Sequence, residues 1–322
     1  MASSLDKSLG VTSAERHNPM LSGTKAVSPR RKLWLAAIKP PMYSVAIMPI
    51  TTGTALAYWQ TGLFQGDIFG LFLVGAILIL LWENLCNDVF DADTGIDVNK
   101  NHSVVNLTGR KEAVFALANG ALLLGIGCVL GIAWQQQDPT VLLLIAVCCG
   151  LGYVYQGPPF RWGYQGWGEI LCFWAFGPLG VAAAYYSQTQ SLTGAGAVTM
   201  VLPSVSVGIF TSLILFCSHF NQVTDDTAAG KRSPVIRLGT KQAADLLPWL
   251  CVVGYGTVLV GIALGRLPVG SLLVGLGVPM AWRMCRFIGQ HHDQEQVLTN
   301  CRFMAVGLHF LSCLGLGLGF LL

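Results

Sequence analysis

Nine stretches of largely apolar residues follow one another along the chain, at 41–60, 68–90, 111–134, 140–156, 167–186, 197–220, 243–264, 267–288 and 297–321. Most reach the ~20 residues a helix needs to cross the hydrocarbon core of a bilayer. In lipid every backbone N–H and C=O must be satisfied within the protein, so such runs become helices. The expected fold class is an all-α membrane protein, a bundle of nine transmembrane helices. Composition agrees, with 53% hydrophobic and 11% charged residues, against about 25% charged in soluble domains. The 38 glycines lie mostly inside the apolar runs, where they let helix backbones approach closely.

Residues 1–32 are polar and lack an apolar signal core. They are expected to be a disordered tail, with 33–322 forming a single polytopic domain. The 10 cysteines fall in or beside apolar runs, and no CxxC pair occurs. Free, buried thiols are expected in place of a disulfide framework or a zinc site.

With nine spans, the N-terminus and the loops after spans 2, 4, 6 and 8 share one side. Of the 19 Lys and Arg residues, all but Arg266 fall on that side or at its border. The positive-inside rule then puts this face in the cytoplasm, or the stroma of a plastid. The membrane is expected to be a plasma (inner) membrane or a thylakoid. The same loops carry nearly all the polar chemistry, so the active site is expected at the cytoplasmic or stromal face. No nucleic-acid footprint is present.

Two acid-rich segments stand out there. In NLCNDVFDADTGID, Asn84, Asn87, Asp88 and Asp91 recur at i, i+3, i+4 and i+7, one face of a helix. Asp93 and Asp97 are expected in the loop that follows. In HFNQVTDDTAAGKRSP, His219, Gln222 and Asp226 share one helical face, and Asn221 and Asp225 another. Two acidic helix ends repel unless a cation lies between them. Hard oxygen donors suit Mg²⁺, which shares its shell with substrate phosphates. The basic residues Lys100, Arg110, Lys111, Arg161, Lys231 and Arg232 can neutralise a diphosphate. No GxxxxGK[ST] loop occurs, which argues against a nucleoside triphosphate. A diphosphate at the membrane border with its tail in the bundle is an isoprenoid diphosphate. Metal-assisted departure from an allylic carbon leaves a carbocation. Tyr153, Tyr155 and Trp162, at the end of span 4, present aromatic faces to stabilise it, although interfacial aromatics are also ordinary belt residues. Glu169, heading span 5, reads as a carboxylate favoured by the helix dipole.

These residues resemble the UbiA superfamily of intramembrane aromatic prenyltransferases. Within it the chain is similar to the 1,4-dihydroxy-2-naphthoate prenyltransferases, in their phytyl-transferring branch. Four stretches carry the resemblance in order: WLAAIKPPMYSVAIMPITTGTALAY, NDVFDADTGIDVNKNHSVVNLTGRKEAV, GYVYQGPPFRWGYQGWGEILCFWAFGPLG and HFNQVTDDTAAGKRSPVIRLGT. The fuller superfamily motif NDxxDxxxD ends here on Gly95, with Asp97 two residues later. The first aspartate of the second motif falls on Gln222, and Asp225 is the alternative donor. The resemblance implies transfer of phytyl from phytyl diphosphate to 1,4-dihydroxy-2-naphthoate, with loss of CO₂, in a lipid membrane. It implies Mg²⁺ held by Asn87, Asp88, Asp91 and Asp226, with Asp225 or Gln222 assisting. Asn84, Tyr153, Arg161, Lys231 and Arg232 would bind substrate. Lys100, His102 and Tyr155 would be catalytic, Lys100 and His102 orienting the naphthoate or moving its proton. Homogentisate phytyltransferase and chlorophyll synthase share the metal and prenyl chemistry and are the nearest alternatives. A secondary transporter is the alternative from another class. Acids clustered at one face, and spans largely free of charge, argue against it.

Overall fold

The computed structural model describes residues 29–94 and 103–322. Among them the structure is helical. Nine long helices are labelled α1 (Ser44–Thr61), α2 (Gly66–Thr94), α3 (Lys111–Gln136), α4 (Thr140–Gln156), α5 (Gly168–Thr189), α6 (Gly194–Ser218), α7 (Thr240–Ala263), α8 (Val269–His291) and α9 (Cys301–Gly319). Among the described residues eight helices are long and apolar enough to span a membrane, the first and last extending to Leu33 and Val297. α4 is apolar but shorter, at 17 residues.

Burial separates an inner group from an outer one. The most apolar windows of α5, α6 and α9 are 56%, 67% and 56% buried. Those of α2, α3, α7 and α8 are 28–33% buried, and their exposed faces carry Leu123, Trp134, Trp249 and Trp282, the surface a bilayer covers. Close packing of the inner helices depends on glycine. A Cβ at Gly177 would lie 2.6 Å from the Gly208 Cα, so α5 and α6 meet backbone to backbone. α5 also contains a π-helical turn, Ala175–Leu179, around Pro178. Such a turn displaces the residues after it relative to a regular helix, and here Ala175, Phe176 and Gly180 border a cavity.

The span limits follow the apolar runs closely; the polar ends do not. α2 runs on to Thr94, so Asp93 is helical and not in a loop. α6 stops at Ser218, followed by a 3-10 turn at His219–Asn221 and a separate short helix at Val223–Ala228. Gln222, with φ −138°, breaks the path between them. The second acidic segment therefore does not present one continuous helical face. The chain at Pro29–Ile38 is helical, and this helix carries the sequence PRRK at its start. That helix ends because Lys39 precedes Pro40, which disfavours the right-handed helical region for Lys39; Lys39 takes φ 52°. All 10 cysteines are free.

Candidate active site

The ends of α2, α4 and α6, the start of α9 and the loops after α4 and α6 meet at one end of the bundle. Two cavities are stacked there. The outer one, about 120 Å³, is polar and is lined by Asn87, Asp91, Tyr164, His219, Gln222 and Lys231, among others. The inner one, about 290 Å³, is lined mainly by apolar residues of α1, α2, α4, α5 and α6. Lys39, Asn87, Tyr155, Gln156, Leu215, Ser218 and Arg302 border both. Along α2 the inner lining runs from Asn87 to Ala76, eleven residues, or about 16 Å of helix.

The acids of the first segment divide between two tasks. Asp88 is 2% exposed. Its Oδ2 accepts the Val104 N–H at 2.8 Å, one of the free donors that open the short helix Val104–Thr108. Its Oδ1 lies 3.7 Å from the Lys39 ammonium. Asp88 thus ties Lys39 and the short helix Val104–Thr108 to α2, and it lines neither cavity. Asn87 and Asp91 do face the polar cavity. The Tyr164 hydroxyl donates to Asp91 Oδ1 at 2.8 Å, and Thr94 Oγ1 is 2.9 Å from the same phenolic oxygen. Burial, and then the Asp91 carboxylate, push the Tyr164 phenol well above its ordinary pKa, so it remains protonated and able to donate.

The second segment does the same on the other side. Asp226, 1% exposed, accepts from His219 Nδ1 at 3.0 Å and lies 3.3 Å from the Lys231 ammonium. His219 Nε2 is 3.3 Å from Glu169 Oε1. Burial raises the Asp226 pKa, but the His219 hydrogen bond and the Lys231 charge outweigh it, and the carboxyl is held below its ordinary value. Asp225, one residue earlier, is exposed and lines neither cavity. The break at Gln222 is the cause: it starts a new helix whose register turns Asp226 inward and Asp225 out. Gln222 itself faces the polar cavity.

The other expected residues are distributed unevenly. Asn84 and Tyr155 line the inner chamber, with Tyr155 at the junction. Asn84 Nδ2 is buried without a hydrogen-bond partner among the described residues. Tyr153 is 39% exposed on the outside of the bundle and donates to Pro158 O at 2.7 Å. It lines neither cavity, because it stands two residues from Tyr155 and so on another face of α4. Arg161, with φ 44°, and the exposed Arg232 also line neither. Arg232 contributes its backbone N–H to Tyr164 O at 2.7 Å, fastening the loop after α6 to the loop after α4. Lys100, His102, Gly95 and Asp97 lie outside the described residues. Among the described residues no three His, Cys, Asp or Glu side chains converge as a ready-made metal site. Lys39, Tyr164, Arg302 and the contact of Glu169 with His219 carry no motif in the sequence that marks them as part of the site. The one available signal was charge or a phenol placed within, or just before, an apolar run.

A helical bundle with an apolar chamber under a small polar mouth defines an integral membrane protein able to hold an amphiphile with its head at one end. Its family follows from sequence. The chain belongs to the UbiA prenyltransferase family, whose model matches residues 46–308, and it is a prenyltransferase. It is 53% identical over 290 residues to the Synechocystis sp. protein named 2-carboxy-1,4-naphthoquinone phytyltransferase, covering 90% of this chain and 93% of that one. It is 43% identical over 298 residues to the chloroplastic Arabidopsis thaliana protein of the same name, covering 90% and 77%. Among solved structures, a UbiA homolog from Aeropyrum pernix matches with TM-score 0.67 at 12% identity, over 88% of this chain and 98% of that one. A homolog from Archaeoglobus fulgidus, solved with DMAPP and Mg²⁺, matches with TM-score 0.52 at 15% identity, over 88% and 98%. These two show the shared fold.

Proposed function

We propose that the chain transfers the phytyl group of phytyl diphosphate to 1,4-dihydroxy-2-naphthoate with loss of CO₂. The product is 2-phytyl-1,4-naphthoquinol, on the route to phylloquinone. The observation that carries this is the stacking of the two cavities. The polar mouth suits a diphosphate, and the chamber beneath, about 16 Å deep along α2, suits several isoprene units. The names of the cyanobacterial and plant relatives support the phytyl donor and the naphthoid acceptor.

Mg²⁺ fits the polar cavity by donor type. Asn87, Asp91 and Gln222, whose side chains carry oxygen donors, line it, and Mg²⁺ commonly takes one or two carboxylates together with substrate phosphates and water. When bound, the ion neutralises the leaving diphosphate. The chain's own residues do the rest. Lys231 borders the mouth and supplies positive charge to diphosphate oxygens, as does Lys39 at the junction. Asp88 and Asp226 hold those lysines in place instead of competing for the metal. Tyr155, at the boundary between cavities, places its ring where the allylic carbon ionises and favours the developing cation. The chamber excludes water, which would otherwise capture that cation. The electron-rich acceptor ring needs no stronger nucleophile, so orientation and electrostatics suffice. Residues 33–322 act as one domain spanning the membrane nine times, with the mouth on the cytoplasmic or stromal side, where the basic loops lie.

The test is expression in membranes lacking their own naphthoate prenyltransferase. Phytyl diphosphate is supplied with dihydroxynaphthoate, its oxidised quinone or homogentisate, in Mg²⁺ or EDTA, and products are identified by mass spectrometry. Mg²⁺-dependent phytyl-naphthoquinol with release of CO₂ is expected. Product from homogentisate alone overturns the acceptor, and product in EDTA overturns the metal.

A further inference from the structure

Three charged residues border the inner chamber: Lys39, Glu83 and Arg302. Lys39 has Asp88 as a partner. Glu83 and Arg302 enter no salt bridge among the described residues. Arg302 Nε is buried without a hydrogen-bond partner among the described residues, and the guanidinium lies 5.0 Å from the Phe303 ring. Glu83 stands one turn before Asn87 on α2. Its backbone carbonyl accepts from Gln156 Nε2 at 3.0 Å, which fixes α2 against α4 at this level. α4 also makes room for the carboxylate, since a Cβ at Gly152 would lie 2.5 Å from Glu83 Oε2. An acid and a cation, on α2 and α9, thus border one apolar chamber without ionic partners among the described residues. Such charges in a membrane interior are costly and are usually paired. Purely structural roles would pair them with protein groups; a ligand that carries an anion and a hydrogen-bond donor would pair both.

We propose that Glu83 and Arg302 form the aromatic acceptor's binding site, Arg302 holding the carboxylate and Glu83 taking the hydrogen of the adjacent hydroxyl. This rests on the acceptor being a hydroxy-aromatic acid, as in the preceding section. The location suits the chemistry. Arg302 borders both cavities, so a carboxylate on it keeps the carboxyl-bearing ring carbon at the boundary, beside the first carbon of the prenyl chain. There the ring carbon forms a bond to that prenyl carbon as its bond to the diphosphate oxygen breaks. The electron pair leaves with diphosphate, and the hydroxyl proton passes to the Glu83 carboxylate. The resulting ketone carries the carboxylate on the adjacent carbon. CO₂ departs, its bonding pair moves through the ring to the ketone oxygen, and that oxygen recovers the proton from Glu83. No oxidant or reductant enters, and Glu83 ends as it began.

The experiment separates the two contacts by ligand. Wild type, Arg302→Gln and Glu83→Gln in lipid nanodiscs are titrated with 1-hydroxy-2-naphthoate, 2-naphthoate and 1-naphthol. A hydrogen bond to a charged group contributes about 1.5–3 kcal/mol, so losing one weakens binding by roughly tenfold or more. R302Q is expected to weaken both carboxylates and leave 1-naphthol unchanged. E83Q is expected to weaken both hydroxyl compounds and leave 2-naphthoate unchanged. In turnover, E83Q lowers kcat at unchanged KM for phytyl diphosphate, with partial rescue by Glu83→Asp. Equal weakening of all three ligands overturns the site, as does an R302Q effect confined to the KM for phytyl diphosphate. Arg302→Met, which also removes the charge, repeats the carboxylate arm if the Gln variant unfolds. The outcomes distinguish this proposal from the function itself. Selective binding without prenylation refutes the function and keeps the site; prenylation without ligand-selective losses does the reverse.

Discussion

Replacing Tyr164 by Phe removes one oxygen atom and tests whether the polar mouth is built as described. The Tyr164 hydroxyl donates to Asp91 Oδ1 at 2.8 Å. Its backbone carbonyl takes the Arg232 N–H at 2.7 Å, and its ring lies 5.7 Å from the Lys231 ammonium. The last two contacts survive in Phe, so the loop stays folded; the hydroxyl's contacts with Asp91 and with Thr94 Oγ1 are lost, and Thr94 keeps its hydrogen bond to the Asp91 carbonyl. A hydrogen bond to a charged acceptor contributes about 1.5–3 kcal/mol. Asp91 borders the cavity, where water can replace the phenol, so the lower end applies. About 1.5 kcal/mol corresponds to roughly a tenfold change. Tyr164→Phe is therefore expected to lower kcat/KM for the prenyl diphosphate about tenfold, with the KM for the acceptor and the thermal unfolding midpoint nearly unchanged. The assay is a steady-state titration of each substrate in membranes or nanodiscs. A kcat/KM within twofold of wild type, in folded protein, would show that the phenol does not hold Asp91 for catalysis.

Further outcomes follow from the same geometry. Asp226→Asn is expected to abolish most activity, since it removes the charge that positions Lys231 and His219, while the exposed Asp225→Asn keeps more than half; product formation in matched membranes distinguishes them. Asp91→Asn is expected to lower activity and raise the Mg²⁺ concentration needed for half-maximal rate, read from a metal titration. The folded-state pKa of Asp226 lies below its ordinary value of 3.8, so the ionised form is favoured by folding. Its contribution is complete above that ordinary value and is lost as pH falls through the depressed one. The wild-type advantage over Asp226→Asn in thermal unfolding should thus be flat from about pH 5 upward and shrink below about pH 4. Gly152→Ala is expected to displace the Glu83 carboxylate and reduce kcat with little change in the KM for phytyl diphosphate, which substrate titrations will show.

The helices were legible because lipid leaves the chain few alternatives. The 140–156 and 111–134 runs return as Thr140–Gln156 and Lys111–Gln136, with boundaries set by where apolar residues give way to the polar QQQD turn. Hydropathy says nothing about which helices are central. That depends on where backbones can touch, as at Gly177 and Gly208, and glycines on lipid-facing and inner surfaces look alike in sequence. Local breaks were illegible for a related reason. Periodicity carries a helix through His219, Gln222 and Asp226, whereas the chain breaks at Gln222, with His219 meeting Glu169 of α5 and Asp226 meeting Lys231 five residues on.

The two acidic segments were readable as a pair, but together they do not by themselves require a cation between them. Asp88 has Lys39 at 3.7 Å, and Asp226 has Lys231 at 3.3 Å. Each acidic end thus brings its own ammonium, and the closest-range repulsion is already offset by the protein. What faces the mouth is the remainder, Asn87, Asp91 and Gln222, a donor set of low net charge. This division has a consequence for catalysis. A site with every carboxylate turned to the metal would hold Mg²⁺ strongly without substrate and would oppose an arriving diphosphate. A site whose carboxylates partly serve to fix lysines binds the free ion weakly and becomes electrostatically complete only when the diphosphate brings its own charge. Metal and prenyl diphosphate are then expected to enter together, with the affinity for either rising as the other is added.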